Sequence, residues 1–441
     1  MGPIFTRKNP TVFLTVMLLI VSNSKWFARL GIESYFEFGA YFVLFAGIFV
    51  SFLFSRRSIK TLKHTIWTFM IVSALFCVGI AVQGLSVFTR LKLMATMLVI
   101  SAVILAEDYL NSWDTLRAGA YGILCGTAVT TLISLMAGVP VMETVYDGFL
   151  SLGFTGGVQY KNFFGAFMLG SFMSLFFYHR YHRKHLVDRI VMVLELVLII
   201  LSSARGTYIF LAVFLIAVNY DRIRAFAREK GLEDTLKRFW QRLTKVQRVL
   251  LVGGIAVAVV AGGIAVYLLV VKSSSTYGYR FRGVRNYLNY AKGDWFHLIF
   301  GNAEMAWSGA GAHYVQTIQK TVGWDGTYEM GFINTLIKNG ILGLGGFAVM
   351  YVHLIRVTLK SKKSEFCRMN LTLLSVLLVS ALVESFVCNI HSIFGVYCYL
   401  VMAGFCGMSR AKVRPRNVVT PLGLVMSKWD DLKRARGAKE S

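Results

Sequence analysis

From Thr11 onward apolar residues come in runs of roughly 17 to 22 positions, the length a helix needs to cross the hydrocarbon core of a bilayer, each closed by a short polar or charged stretch. The runs lie at about 11–29, 36–54, 64–84, 93–107, 117–137, 162–178, 190–203, 206–219, 249–271, 330–355, 370–389 and 393–409. This pattern predicts an all-α, polytopic integral membrane protein of about twelve transmembrane helices. The seventh and eighth runs are short and tightly joined. Two polar intervals are too long to be turns, 138–161 and 272–329, and the second places a large loop between helices nine and ten.

Composition agrees with the pattern: 56% hydrophobic and 14% aromatic residues against 16% charged exclude an ordinary soluble domain. Net charge is +25, a value that could suggest nucleic acid until its distribution is read. Lys and Arg gather at Arg56–Lys63, His179–Arg189, Arg222–Arg248, Arg356–Arg368 and Arg410–Lys439, and an even number of predicted helices precedes each cluster. The positive-inside rule therefore puts all five, including the basic loop 221–248 and the tail 410–441, in the cytoplasm with both termini. Intervals 138–161 and 272–329 then lie outside. The basic tail reads as a topology determinant touching anionic lipid, not as a nucleic-acid site. Arg7-Lys8 and the first run have the outline of a signal peptide but no small-residue cleavage site, so the run is expected to stay as the first helix. Residues 1–441 read as one membrane domain.

Arg205, in Leu201-Ser-Ser-Ala-Arg-Gly-Thr-Tyr-Ile209, stands between two apolar runs. An Arg near membrane depth costs roughly 2.5 to 3.5 kcal/mol on insertion scales, so it faces a polar site or an anion, or snorkels from a helix end. The 272–329 interval carries Arg280, Arg282, Arg285, Asp294, Glu304, His313, Asp325 and Glu329, unusual charge for an external face, and is expected to form the active or binding surface. Its aromatic residues, Tyr287 and Trp295 among them, suit sugar stacking or an interfacial belt equally. The six cysteines lie in or beside predicted helices without paired external spacing, and no nucleotide loop, dinucleotide fingerprint or metal-ligand pair is evident. No cofactor and no metal are expected.

The order of Gly157-Val-Gln-Tyr-Lys-Asn-Phe-Phe-Gly165, Ser202-Ser-Ala-Arg-Gly206, a long loop with Arg and Phe300-Gly301, and Tyr328-Glu-Met-Gly-Phe-Ile-Asn-Thr-Leu-Ile-Lys-Asn-Gly-Ile-Leu-Gly-Leu344 resembles the superfamily of O-antigen ligases and Wzy-type polymerases. The motifs cover roughly 150–350 and the topology covers the whole chain. The resemblance implies a GT-C-like glycosyltransferase of the bacterial inner membrane that works on its outer face. It also implies an undecaprenyl-diphosphate-linked glycan as donor, a second such glycan as acceptor, and a flippase and chain-length regulator as neighbours. Arg205 matches the family's helix-end arginine, and Arg282, with Arg280 close behind and Arg285 third, matches its loop arginine. Guanidinium forks suit a diphosphate leaving group. Lys161 and Asn162 open the sixth predicted helix and either touch phosphate or sugar or anchor the interface.

Where ligases of the family begin the following helix with His-Asn, this chain has Glu329, which resembles the polymerases more. Glu329 or the loop His313 is the expected base for the acceptor hydroxyl. Glu384, Asn389 and His391, at the external end of the eleventh predicted helix, are lesser candidates for the acceptor path. The expected activity is inverting polymerisation of lipid-linked repeat units into O-antigen or capsular polysaccharide. The alternatives are transfer to lipid A-core by a ligase, a peptidoglycan polymerase, and a transporter or flippase. The last would carry charge along several helices at midplane, whereas the sequence gathers it at one face.

Overall fold

The computed structural model describes residues 10–54, 59–146, 150–229, 243–244, 247, 284–289, 291–303, 330–361, 364–390 and 392–410. The described residues are mostly helical, and seven helices are long and apolar enough to cross a membrane: Glu33–Leu53, Thr61–Val82, Val87–Asp108, Trp113–Met136, Gly331–Leu359, Ser364–Val383 and Ile393–Arg410. Pro10–Ser22 and Arg205–Val218 are apolar but shorter. The protein is thus an all-α polytopic membrane protein by the length and composition of its helices, with one β-hairpin among the described residues. The ninth predicted run, 249–271, lies outside the described residues.

The helices are α1 (Pro10–Ser22), α2 (Lys25–Arg29), α3 (Glu33–Leu53), α4 (Ile59–Val82), α5 (Val87–Ala102), α6 (Trp113–Met136), α7 (Lys161–Tyr181), α8 (Leu186–Leu201), α9 (Arg205–Val218), α10 (Tyr220–Glu229), α11 (Trp295–Phe300), α12 (Gly331–Leu359), α13 (Ser364–Val383) and α14 (Ile393–Arg410). A 3-10 segment, Val103–Asp108, extends α5. Interval 138–161, expected as a loop, instead pairs β1 (Met142–Tyr146) with β2 (Leu150–Phe154) in antiparallel register, Met142 opposite Phe154.

The core is built around α14, whose residues Ile393 to Met408 are all buried. Its glycines permit this. A Cβ at Gly404 would stand 2.3 Å from the Leu110 carbonyl, one at Gly407 1.8 Å from that of Glu107, and one at Gly395 2.1 Å from that of Phe386. Without a hydrophobic drive between helices in lipid, such close backbone approach is what packing gains most from. Around it α7, α12, α13 and the 3-10 segment pack directly; α6 joins α1 to α7, and α4 lies on α12.

Three predicted helices prove to be broken. The first run divides at Asn23–Ser24, where Ser24 bridges Val158 and the flanking backbone bonds elsewhere: Lys25 N–H donates to Gly157 O (2.8 Å) and Gln159 N–H to Asn23 O (3.0 Å). The eleventh ends at Val383, so Glu384 and Asn389 stand on non-helical backbone. The tenth breaks at Gly340 (φ 65°, ψ −165°). There the amide of Asn302 donates to Ile337 O (2.6 Å), and the Gln83 side-chain amide donates to Lys338 O (3.0 Å) and Phe300 O (2.8 Å). Gln83 Oε1 accepts from Ala303 N–H (2.8 Å). Two carbonyls ahead of the break, Ile337 and Lys338, are therefore occupied from outside the helix, as a backbone inside a bilayer requires.

The charge pattern also differs from expectation. Asp188 is buried and accepts from Arg117 (2.8 and 3.0 Å) and the Tyr121 hydroxyl (2.7 Å). Glu107 is buried against His353 (3.3 Å) and is bonded by Arg410, and Glu195 is buried within α8. Acidic groups are thus placed along the helices as well as at one face. Helix-end basic residues partner two of them, which is how buried carboxylates are made affordable.

A side chain at Gly340 would place Cβ 2.1 Å from Ile299 O at a left-handed φ. Gly340→Ala is therefore expected to cost about 2 to 4 kcal/mol, read as a lower melting temperature in detergent. Gly345→Ala, with open space around it, is expected to be neutral or stabilising. Equal melting temperatures for the two variants would show that the break is not clamped as described.

Candidate functional site at the convergence of three helix starts

The resemblance places its candidates on separate stretches of sequence, and the structure joins several of them at one end of the bundle. Helix α8 stops at Leu201 because Ser203 takes a left-handed conformation (φ 51°). For a non-glycine residue that costs about 1 to 2 kcal/mol. The turn is held by Ser202 Oγ donating to Ile199 O (2.6 Å), Ala204 N–H donating to Ser202 Oγ (3.3 Å), and Ser203 Oγ donating to Leu152 O of β2 (2.9 Å). Arg205 is then the first residue of α9 and is exposed. The uncertain boundary between the seventh and eighth runs thus resolves to Ser202–Ala204.

Helix α7 begins beside it. A Cβ at Gly165 would meet Ser202 Oγ and Thr207 Oγ1 at 2.8 Å each, so this glycine, the last of the first motif, lets α7 lie against the α8–α9 turn. Gly153 of β2 fits between Ser202 O (2.5 Å from its ideal Cβ) and Lys161 Cδ (2.8 Å). Lys161 is half-buried, and its N–H donates to the Glu143 carboxylate (3.2 Å). Glu143 also acts on Lys25, whose Nζ donates to Thr155 Oγ1 (3.4 Å). Burial lowers the Lys25 pKa, with Glu143 opposing that shift.

Glu384 completes the junction. Its carboxylate Oε1 accepts from Asn162 Nδ2 (3.1 Å) and lies 3.6 Å from an ideal Cβ on Gly206; its carbonyl accepts from Gly331 N–H (3.1 Å). One residue thus touches the starts of α7, α9 and α12. The N-cap residues Tyr160, Ala204 and Met330 make no side-chain cap of their own; the first amide of α7 bonds instead to the Glu143 carboxylate and that of α12 to the Glu384 carbonyl. Helix starts present partial positive charge. With Arg205 and Lys161 the ensemble is suited to hold an anion, and Glu384 supplies a carboxylate beside it.

Other candidates fall elsewhere. Arg280, Arg282, His313 and Glu329 lie outside the described residues, as do Glu304, Asp325 and His391. Arg285 is exposed on the helical segment 284–289. That segment packs through Tyr287 and Ala291 onto Leu336 and Ile337 of α12, and among the described residues no hydrogen bond or ion pair joins Arg285 to Glu384. Tyr287 is fully buried, so it is a packing residue and not a sugar platform; Trp295 is exposed. Phe300-Gly301 has a structural role: Gly301 (φ 85°) approaches Lys338 so closely that a Cβ would stand 2.6 Å from its carbonyl carbon. Sequence reasoning ranked Glu384 low. The available signal was a carboxylate ending a 20-residue apolar helix, opposite a Lys-Asn pair that begins another.

The fold defines a class, a polytopic α-helical membrane protein with a polar junction at one end. No protein-family model matches the chain, and no curated protein does.

The helix that leads into the Phe300-Gly301 strap is expected to depend on pH through its cap. Asp294 is the N-cap of α11, accepting from His297 N–H (3.1 Å) and bonded to the His297 ring. The backbone bond from His297 is the main cause that holds its pKa below the ordinary carboxylate value. A depressed carboxylate stabilises above its unfolded pKa, about 3.9, and the contribution disappears as pH falls through the lower folded value. Hydrogen exchange should therefore show protection of amides 297–303 falling below about pH 4. Asp294→Asn should remove that dependence; an unchanged profile in the variant would contradict the role of the cap.

Proposed function

We propose that the protein is a membrane glycosyltransferase that polymerises undecaprenyl-diphosphate-linked oligosaccharide repeat units. In this reading the junction lies on the outer face of the bacterial plasma membrane and the basic segments lie in the cytoplasm. The observation that carries the proposal is Glu384, touched by the starts of α7, α9 and α12, with Arg205 and Lys161 at two of those starts. The donor's diphosphate would lie at these helix starts against Arg205, with Lys161 and the loop arginines Arg280, Arg282 or Arg285 adding charge. An exposed arginine at a helix N-terminus combines two anion-binding features. As the glycosidic bond breaks, charge develops on the leaving diphosphate, and fixed cations lower that barrier. Single displacement by an acceptor hydroxyl inverts the anomeric carbon. A twelve-helix topology, with a flippase and a chain-length regulator nearby, belongs to the same reading.

One observation favours a second reading. Glu195 is buried in α8, and no cation is paired with it among the described residues. Carboxyls so placed carry protons in transporters.

Purified protein given its lipid-linked repeat unit alone is expected to yield a ladder of multimers. Arg205→Ala is expected to reduce the rate roughly 10²- to 10³-fold, as for loss of one charge-stabilising donor. Product formed only with added lipid A-core would make it a ligase. Absence of covalent product with both acceptors would favour transport.

A further inference from the structure

Helix α8 faces the bundle with three buried residues, Asp188, Glu195 and Ile199, and two of them are carboxyls. Residues seven apart lie two turns along one face of a helix, so both acids turn inward while Ile190, Val193, Leu194 and Val197 are exposed. Asp188 has a cation, since Arg117 donates to it twice (2.8 and 3.0 Å) and the Tyr121 hydroxyl once (2.7 Å). Glu195 is fully buried as well, yet neither of its oxygens receives a hydrogen bond, and no ion pair joins it to a cation among the described residues. An ionised carboxyl left in that state is so costly that the group takes up a proton instead. We infer that Glu195 is a proton-binding site: α8 is seated on the bundle with this carboxyl in its acid form, and loss of the proton unseats the helix whose end sets Arg205.

The hydroxyls around Glu195 fit the acid and not the carboxylate. Ser171 of α7 faces it, but the Ser171 hydrogen is given to Ala120 O (3.0 Å). Tyr397 of α14 is within electrostatic reach. Ser174 donates to Gly170 O (3.1 Å), so in the Tyr397–Ser174 pair (2.9 Å) the tyrosine is the donor and its hydrogen is also spent. A hydroxyl has one hydrogen to give. What Ser171 and Tyr397 still offer is a lone pair, which a carboxylic acid can bond and a carboxylate cannot. The other titratable neighbours supply no counter-charge. Asp188, on the same helix, repels a second negative charge. Arg117 and Tyr121 of α6 are bonded to Asp188, and Tyr178 and His179 of α7 stand by it. Tyr208 of α9 donates to Ile200 O (2.8 Å), and β2 has no titratable side chain.

The same helix carries the consequence toward the junction. Glu195 and Ile199 are about one turn apart, and Ile199 O accepts from Ser202 Oγ (2.6 Å), a bond that shapes the turn into α9. Helix α7 runs antiparallel beside α8, with Gly165 against Ser202, Ser171 facing Glu195 and Tyr178 by Asp188. Unseating α8 at Glu195 therefore loosens the packing that holds the Ser202–Ala204 turn, immediately before Arg205. The ligand is a proton, and the site is the same whether the protein is a transferase or a transporter.

The test titrates purified protein in lipid nanodiscs with alkali, recording the infrared carbonyl stretch of protonated carboxyls and the hydrogen exchange of amides 199–206. Wild type is expected to show at neutral pH a protonated-carboxyl band that Glu195→Gln lacks. A folded state that holds a proton the unfolded state gives up loses stability as pH rises. Protection of amides 199–206 in wild type should therefore fall about tenfold per pH unit once the band disappears. Glutamine is neutral at every pH and keeps a donor for Ser171, so Glu195→Gln should fold and hold its protection over that range. Ser171→Ala removes the acceptor and should displace the band without abolishing it. The inference is overturned if wild type has no such band at neutral pH, or if Glu195→Gln shows it in full, keeps the wild-type pH dependence or does not fold. A band left in place by Ser171→Ala also overturns it.

Discussion

A backbone inside a bilayer has no water to bond to, so every interruption of a helix must be met by another part of the protein. Among the described residues this chain interrupts its helices repeatedly, and other segments bond into the gaps. Asn23–Ser24 is met by Gly157–Gln159, Ser202–Ala204 by β2, and the end of α13 by Gly331 of α12. The Gly340 break is met by Gln83 and the strap 300–303. The elements lying between the helices are therefore necessary parts of the bundle. The hairpin and the strap are held in place because the breaks need them.

That necessity also places the junction. Helix ends are where charged and polar groups can stand in a membrane protein without the full cost of burial. Turning α8 into α9 at Ser203 presents Arg205 at a new helix start, and Gly165 and Gly206 remove the side chains that would keep α7 and Glu384 away from it. At the opposite end the same physics gives a different result. Glu107 with Arg410 and His353, and Asp188 with Arg117, form ion pairs inside the bundle. Those groups bind one another; the junction brings helix starts together around the half-buried Glu384.

The apolar runs made most of the helices legible, because length and hydropathy alone specify a span. Eleven of the predicted runs fall on helices of the structure, and the remaining one lies outside the described residues. The breaks were less legible. Asn339-Gly340 is a helix-stop pair sitting inside an apolar run, so the hydrophobic signal masked it. Gln83 carries no periodic signal, and its partners are more than 200 positions away. Arg205 could be singled out because a charge between two apolar runs is locally anomalous. The importance of Glu384 depends on Asn162 and Gly331, contacts that no local pattern encodes.

The central claim is that the starts of α7, α9 and α12 form the seat of a lipid diphosphate. A cryo-electron microscopy structure of the protein with undecaprenyl diphosphate tests it most directly. The account predicts phosphate density about 3 Å from the Arg205 guanidinium, at the helix starts that meet Glu384. Phosphate density at the opposite end of the bundle, among Arg356, Arg368 and Arg410, with none at Arg205, would contradict it.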